Sequence, residues 1–181
     1  MPPRRSTDER IADATLELLR TKGAGAVTVE AVTARSGVAK TTIYRRYRDR
    51  RDMLAAALSA IATPEPLAVD AEAPDRLRWL IHEAIKAIDD GIGFGGLASL
   101  LTDDDPDFTK IFRRILTKQR AKLESVIDDA RVDGSFRIDV DGATLIDAMV
   151  GAHIAERSRT GRIASGWEQR LFDLFWPIVQ A

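Results

Sequence analysis

Between positions 40 and 51 the chain sets Lys40, Arg45, Arg46, Arg48, Arg50 and Arg51 against one acid, Asp49, and interleaves Thr41, Thr42 and Tyr44 among them. Hydroxyls, a phenol and cations all donate to phosphate oxygens, and arginine also pairs with guanine O6 and N7. Such a stretch suits the backbone and base edges of a nucleic acid. A solvated helix face can carry the same charges, and charge alone does not separate the two readings. The aromatic does help, because a salt-bridged surface face seldom needs an exposed tyrosine among cations.

The wider charge distribution points the same way. The 181 residues hold 27 basic and 28 acidic side chains, two histidines and no cysteine, for a formal charge of −1. Residues 1–52 carry 12 basic against 7 acidic side chains, a balance of +5, whereas the remainder carries 15 against 21, a balance of −6. This asymmetry describes a basic module that meets a polyanion, joined to an acidic module with another task.

Other chemistries are poorly served. Without cysteine there is no disulfide, thiolate nucleophile or cysteine-ligated metal, and two histidines cannot build a His-rich metal site within one subunit. Gly91, Gly93 and Gly96 satisfy the spacing G-x-G-x-x-G, but a helical pattern precedes them and no βαβ unit follows. They are expected to form a flexible break between two helices, with Phe94 bordering a pocket. Asp103, Asp104, Asp105 and Asp107 resemble a calcium loop, yet Phe108 stands at the glycine position and Arg114 at the closing glutamate. Asp139 and Asp141 fail similarly, with Arg137 at the first ligand position and Ala148 at the last. An all-helical enzyme is the distant rival, but no nucleophile with its base and no carboxylate pair supports it, so no enzymatic activity and no cofactor are expected. The opening MPPRRSTDER lacks the apolar core of a secretory signal, and no apolar run reaches the length of a membrane span, so a cytoplasmic location is expected.

Helices must position these groups. Ser6 to Glu9 have the spacing of a capping box, and Ile11, Ala14, Leu18 and Leu19 follow on one face until Gly23 and Gly25. Thr28 suits the N-cap of a short helix with Val29 and Val32 inward, ended by Ser36-Gly37. A third helix, about 39–46, carries Ile43 inward. Asp49 caps a fourth, residues 51–62, with Met53, Leu54, Leu58 and Ile61. Prolines 64, 66 and 74 mark a loop from Thr63 to Pro74. Leu77 to Ile88 repeat at helical spacing, Asp105-Pro106 opens a long helix ending near Gly134, Asp141 opens another, and a last helix follows Gly166. No strand pattern and no internal repeat are present. The expected fold is all-α with about nine helices.

A short helix, a turn at Gly37 and a short basic helix make a helix-turn-helix, with Val32, Val38 and Ile43 meeting where the two helices cross. From Thr28 to Leu54, above all in SGVAKTTIYRRYRDRRDML, the chain resembles the DNA-binding domain of the TetR family of transcriptional regulators. The family's Gly-Val turn, its aliphatic-tyrosine pair, its closing aromatic and its following basic position fall on Gly37, Val38, Ile43, Tyr44, Tyr47 and Arg50. Two positions depart from the pattern. Thr33 stands where alanine is usual and is expected to bond its own helix backbone, and Arg50 replaces a more frequent lysine.

The resemblance implies a DNA-binding domain over residues 1–52 and a helical ligand-binding and dimerisation domain over 53–181. It implies a ligand-responsive homodimer, a repressor released from an inverted-repeat operator by a small hydrophobic or amphipathic molecule. A TetR-like activator or a regulator controlled by a protein partner is the alternative. The helix starting at Ala39 would enter the major groove, with Thr28, Lys40, Tyr44 and Arg50 on phosphates and Thr41, Thr42, Arg45 and Arg46 on base edges. Trp79, His82, Phe94, Phe112, Met149 and His153 are pocket candidates. A last helix apolar nearly all round needs cover on two sides, so Phe172, Phe175 and Trp176 are interface candidates, with small Gly151, Ala152 and Ala155 on the preceding helix.

Overall fold

The computed structural model describes residues 6–59, 61 and 64–181. The expected end of the fourth helix at residue 62 and the start of the following loop at Thr63 lie outside the described residues.

Each helix begins and ends where local chemistry tells it to. In α1 (Thr7–Lys22) the Ser6 hydroxyl accepts from the Glu9 amide at 3.2 Å while Glu9 Oε2 accepts from the Ser6 amide at 2.7 Å, a complete capping box. The Thr28 hydroxyl caps α2 (Val29–Ser36) at the Ala31 amide, 3.1 Å away. Gly37 then stops α2 with φ +67°, a conformation that costs an L side chain about 1–2 kcal/mol. Helix α3 (Lys40–Arg46) starts at Ala39 without a side-chain cap, and α4 (Arg50–Ser59) starts at Asp49, whose Oδ1 accepts from the Asp52 amide at 2.8 Å. Helix α5 (Ala73–Lys86) widens into a π-helical turn over Ala87–Ile92, which runs into α6 (Gly93–Thr102). Asp105 caps α7 (Pro106–Val132), Asp141 caps α8 (Gly142–Thr160), and α9 (Trp167–Val179) follows Gly166. Among the described residues the only extended pairing is one bridge between Phe136 and Gln180, so the fold is all-α.

Contacts divide the chain into two compact units, one comprising residues 1–63 and 87–116, the other 64–86 and 117–181. In the first, α1 packs on α2, α4 and α6, and Ile11, Leu19, Val32, Ile43, Met53 and Leu54 are buried. In the second, α5 packs on α8 and α9, and Leu77, Leu80, Ile127, Met149, Leu171 and Val179 belong to one apolar core.

The glycine-rich stretch differs from expectation. It is a seam rather than a flexible break, because α6 lies directly on the C-terminal turn of α1. A Cβ at Gly95 would stand 2.7 Å from both Leu19 O and Arg20 O, and one at Gly93 2.8 Å from Arg20 Cβ. Arg20 Nε donates to Gly91 O at 2.7 Å, and the Ser99 hydroxyl accepts from the Ala24 amide at 2.9 Å. Phe94, half-buried, belongs to this first unit.

Candidate nucleic-acid interface

The helix-turn-helix is held from inside by Val32, Val38 and Ile43, each at most 5% exposed, and from outside by a residue the sequence reading passed over. Arg10 of α1 donates through Nη2 to Ser36 O at 2.6 Å, pinning the turn to the first helix. The Ser36 hydroxyl accepts from the Val38 amide at 3.1 Å. With both ends of the turn fixed, α3 has one buried residue, Ile43, and presents Lys40, Thr41, Tyr44, Arg45 and Arg46 to solvent, with Thr42 half-buried and Tyr44 50% exposed. Ala39 is exposed at the start of this helix, and Thr28 is exposed at the start of α2.

The cations on this face are not equivalent. Lys40 is ion-paired with Glu30 of α2 and lies 5.8 Å from the Tyr44 ring centre. The Glu30 hydrogen bond raises the Lys40 pKa, and the same bond lowers that of Glu30. Arg46 Nη1 pairs with Asp8 Oδ2 at 2.6 Å, and Asp8 also accepts weakly from the Tyr47 hydroxyl at 3.4 Å. Tyr47 is half-buried, and that burial, with Asp8 second, pushes its pKa up. Arg45 makes no ion pair among the described residues.

Arg50 is placed differently from the phosphate contact its position suggested. Its guanidinium turns inward, donating to Val27 O, to Ala24 O at 2.7 Å and to Asp105 Oδ2 at 2.5 Å. Three acceptors lie within reach on the first unit's own backbone and on the cap of α7, so the fork is used there. Asp105 is held below the usual carboxylate range: burial pushes it up, but Arg50 and the Phe108 amide outweigh that. Thr33 also departs from expectation, since its buried hydroxyl finds no acceptor or donor among the described residues instead of bonding its own helix.

Residues 11–57 match the family described as bacterial regulatory proteins, tetR family. Helices α1 to α4 carry the matched residues and are similar to a TetR-family DNA-binding domain. The likeness extends to the whole TetR-type fold in solved structures. A protein described as a transcriptional regulator from Saccharomonospora viridis, solved with choline, is 18% identical, with 96% of this chain and 97% of that one covered and a TM-score of 0.72. A TetR-family regulator from Rhodococcus sp. is 19% identical over 92% of this chain and 97% of its own, with a TM-score of 0.73. A protein described as a fatty acid metabolism regulator from Clostridium perfringens is 16% identical over 92% and 94%, with a TM-score of 0.67. No curated protein matches the sequence. Among the described residues no helix is long and apolar enough to cross a membrane.

The TetR-like pocket candidates are not gathered within one unit. Phe94 and Phe112 belong to the first, where Phe112 is buried and stacked on Phe108 with ring centres 5.6 Å apart. The other four belong to the second. Met149 and His153 are fully buried, with the His153 ring edge-on to Trp167 at 5.0 Å, while half-buried Trp79 donates from Nε1 to Glu65 O at 3.0 Å. His82 is exposed, 3.3 Å from Glu168, and is a surface residue rather than a wall of a greasy cavity. None of the six lines either of two hollows in the second unit. One, about 290 Å³, lies among Val140, Leu145, Ala148, Phe175 and Ile178; the other, about 230 Å³, lies under Arg78, whose guanidinium sits 4.0 Å above the Phe172 ring.

The interface candidates separate by burial. Gly151 and Ala155 are exposed on α8, and Ala152 and Trp176 are half-buried. Phe172 and Phe175 turn into the second unit's own core, so the outward apolar residues of α9 are instead Leu174 and Ile178, 59% and 53% exposed.

Proposed function

We propose that the chain is a homodimeric transcriptional repressor that binds an inverted-repeat DNA operator and is released by a small molecule. The observation that carries the reading is the outward face of α3, where Lys40, Thr41, Tyr44, Arg45 and Arg46 stand together beside Thr28 while one buried isoleucine anchors the helix. Thr28, Lys40 and Tyr44 suit phosphate oxygens, and Thr41, Thr42, Arg45 and Arg46 suit base edges, with Ala39 giving close approach at the helix start. Arg50 is left out of this set because its guanidinium is engaged internally.

Residues 1–52 serve as the DNA-binding domain, and residues 53–181 bind the effector and the second subunit, in the cytoplasm. The reading includes no enzymatic activity. Exposed Leu174 and Ile178 on α9, with small Gly151 and Ala155 on α8, suit a two-fold apolar interface. The choline held by the Saccharomonospora viridis regulator is in keeping with a small amphipathic effector. Effector binding releases DNA only to the extent that the molecule prefers the non-binding arrangement of the dimer.

The test is fluorescence anisotropy with duplexes from the DNA flanking the protein's own gene. Tyr44→Ala and Lys40→Ala weaken binding across sequences; loss of the Lys40 cation flattens the log-log salt dependence by at most roughly 0.9, whereas loss of the uncharged Tyr44 phenol leaves the slope nearly unchanged. Salt-independent binding, or variants that bind as tightly as the wild type, would remove the assignment of this face.

A further inference from the structure

Two of the three cations on α3 are already engaged by carboxylates of the same unit. Lys40 is held by Glu30, two residues beyond Thr28 at the start of α2, and Arg46 is held by Asp8 in the first turn of α1. Both acids are exposed, and neither serves the core. Each reaches its partner from a neighbouring helix, so each carboxylate occupies a cation that a phosphate would otherwise meet. We infer that Glu30 and Asp8 act as built-in competitors of DNA phosphate, lowering the sequence-independent affinity of the recognition helix and leaving Arg45 as its one cation with no ion pair among the described residues. This inference rests on the DNA-binding reading above.

The physical argument is an exchange. For Lys40 to meet a phosphate it must leave Glu30, and the abandoned carboxylate then stands beside a polyanion and takes up a cation. The bond gained is offset by the bond lost, and fewer counterions are released overall. Sequence-independent binding, which comes almost entirely from this electrostatic exchange, is thereby reduced. Base-edge hydrogen bonds from Thr41, Thr42 and Arg45, none of which pairs with a carboxylate among the described residues, are reduced less, whereas Arg46 must leave Asp8 to reach either a phosphate or a base edge. The acids therefore favour specificity over affinity. Glu30 and Asp8 are positioning residues that act through Lys40 and Arg46.

The experiment measures binding of the full-length protein to a duplex of random sequence by fluorescence anisotropy over a range of potassium chloride concentrations. Glu30→Gln and Asp8→Asn should each tighten binding roughly two- to fivefold, the range of an exposed ion pair, with melting curves confirming that both remain folded. Each should also steepen the log-log salt dependence by up to about 0.9, as one more cation becomes available to phosphate. The gain from Glu30→Gln should vanish in a Lys40→Gln background. Folded variants that bind no more tightly than wild type overturn the inference. So does a gain that persists without Lys40, which would make Glu30 a general repulsive charge. Wild-type protein that shows no salt-dependent binding to any duplex overturns the DNA-binding reading itself, a result read on the unaltered chain alone.

Discussion

Replacing Arg50 with alanine distinguishes an internal brace from a phosphate contact. The guanidinium donates to Val27 O, to Ala24 O at 2.7 Å and to Asp105 Oδ2 at 2.5 Å, and the side chains of Arg50 and Asp105 are 28% and 12% exposed. Alanine suits a helix start, so propensity contributes little. The substitution leaves Asp105 without its cation and two carbonyls without this donor. Removing one partner of a fully buried pair costs about 3–5 kcal/mol; partial exposure here, and the Phe108 amide that Asp105 keeps, reduce the expected loss to about 2–3 kcal/mol. Urea denaturation at neutral pH should show the midpoint falling with the slope unchanged. Arg50→Lys, which keeps the charge but loses the fork, should fall between the two. The loss should also shrink in acid. The Asp105 carboxyl is held below its ordinary 3.8, so its contribution is complete above that value and disappears as pH falls through the lower folded value. A loss below about 0.5 kcal/mol, the range of ordinary surface substitutions, would refute the brace. A flatter salt dependence of DNA binding would then return Arg50 to the phosphate set.

Gly95→Ala should destabilise by about 2–3 kcal/mol, because its Cβ would meet two backbone oxygens that cannot rotate away, whereas Gly25→Ala, with open space around it, should change stability by less than about 0.5 kcal/mol. Equal effects in thermal unfolding would dismiss the α1–α6 seam. Ser6→Ala removes half of a complete capping box and should cost about 1 kcal/mol, with faster amide exchange confined to the first turn of α1. If α9 carries the subunit interface, Leu174→Asp and Ile178→Asp should give folded monomers in sedimentation equilibrium. Dimers that persist at micromolar concentration would place the interface elsewhere.

The helix-turn-helix and the capped helix starts were readable in order along the chain, whereas the π-turn over Ala87–Ile92 and its continuation into α6 were not. Ser6, Thr28, Asp49, Asp105 and Asp141 cap helices through bonds that span three residues, and Gly37 ends α2 by its own backbone freedom, so the information lies within one turn. The inward valines and Ile43 followed from helical period for the same reason. Period could not say which apolar side of α9 meets its own core, because a helix apolar nearly all round has no marked face. Packing in the second unit took Phe172 and Phe175 and left Leu174 and Ile178 outside. Arg50 was expected on phosphate rather than inward, since its acceptors stand 23, 26 and 55 positions away and are adjacent only once the helices have packed. Lys40 and Arg46 could be read as cations from sequence, but their pairing with Glu30 and Asp8 needed three helices brought side by side. Interactions that close within one helical turn were thus determined by the sequence alone. Those that join distant segments were decided by the tertiary structure, because a side chain's partners depend on what the fold brings within 3 or 4 Å of it.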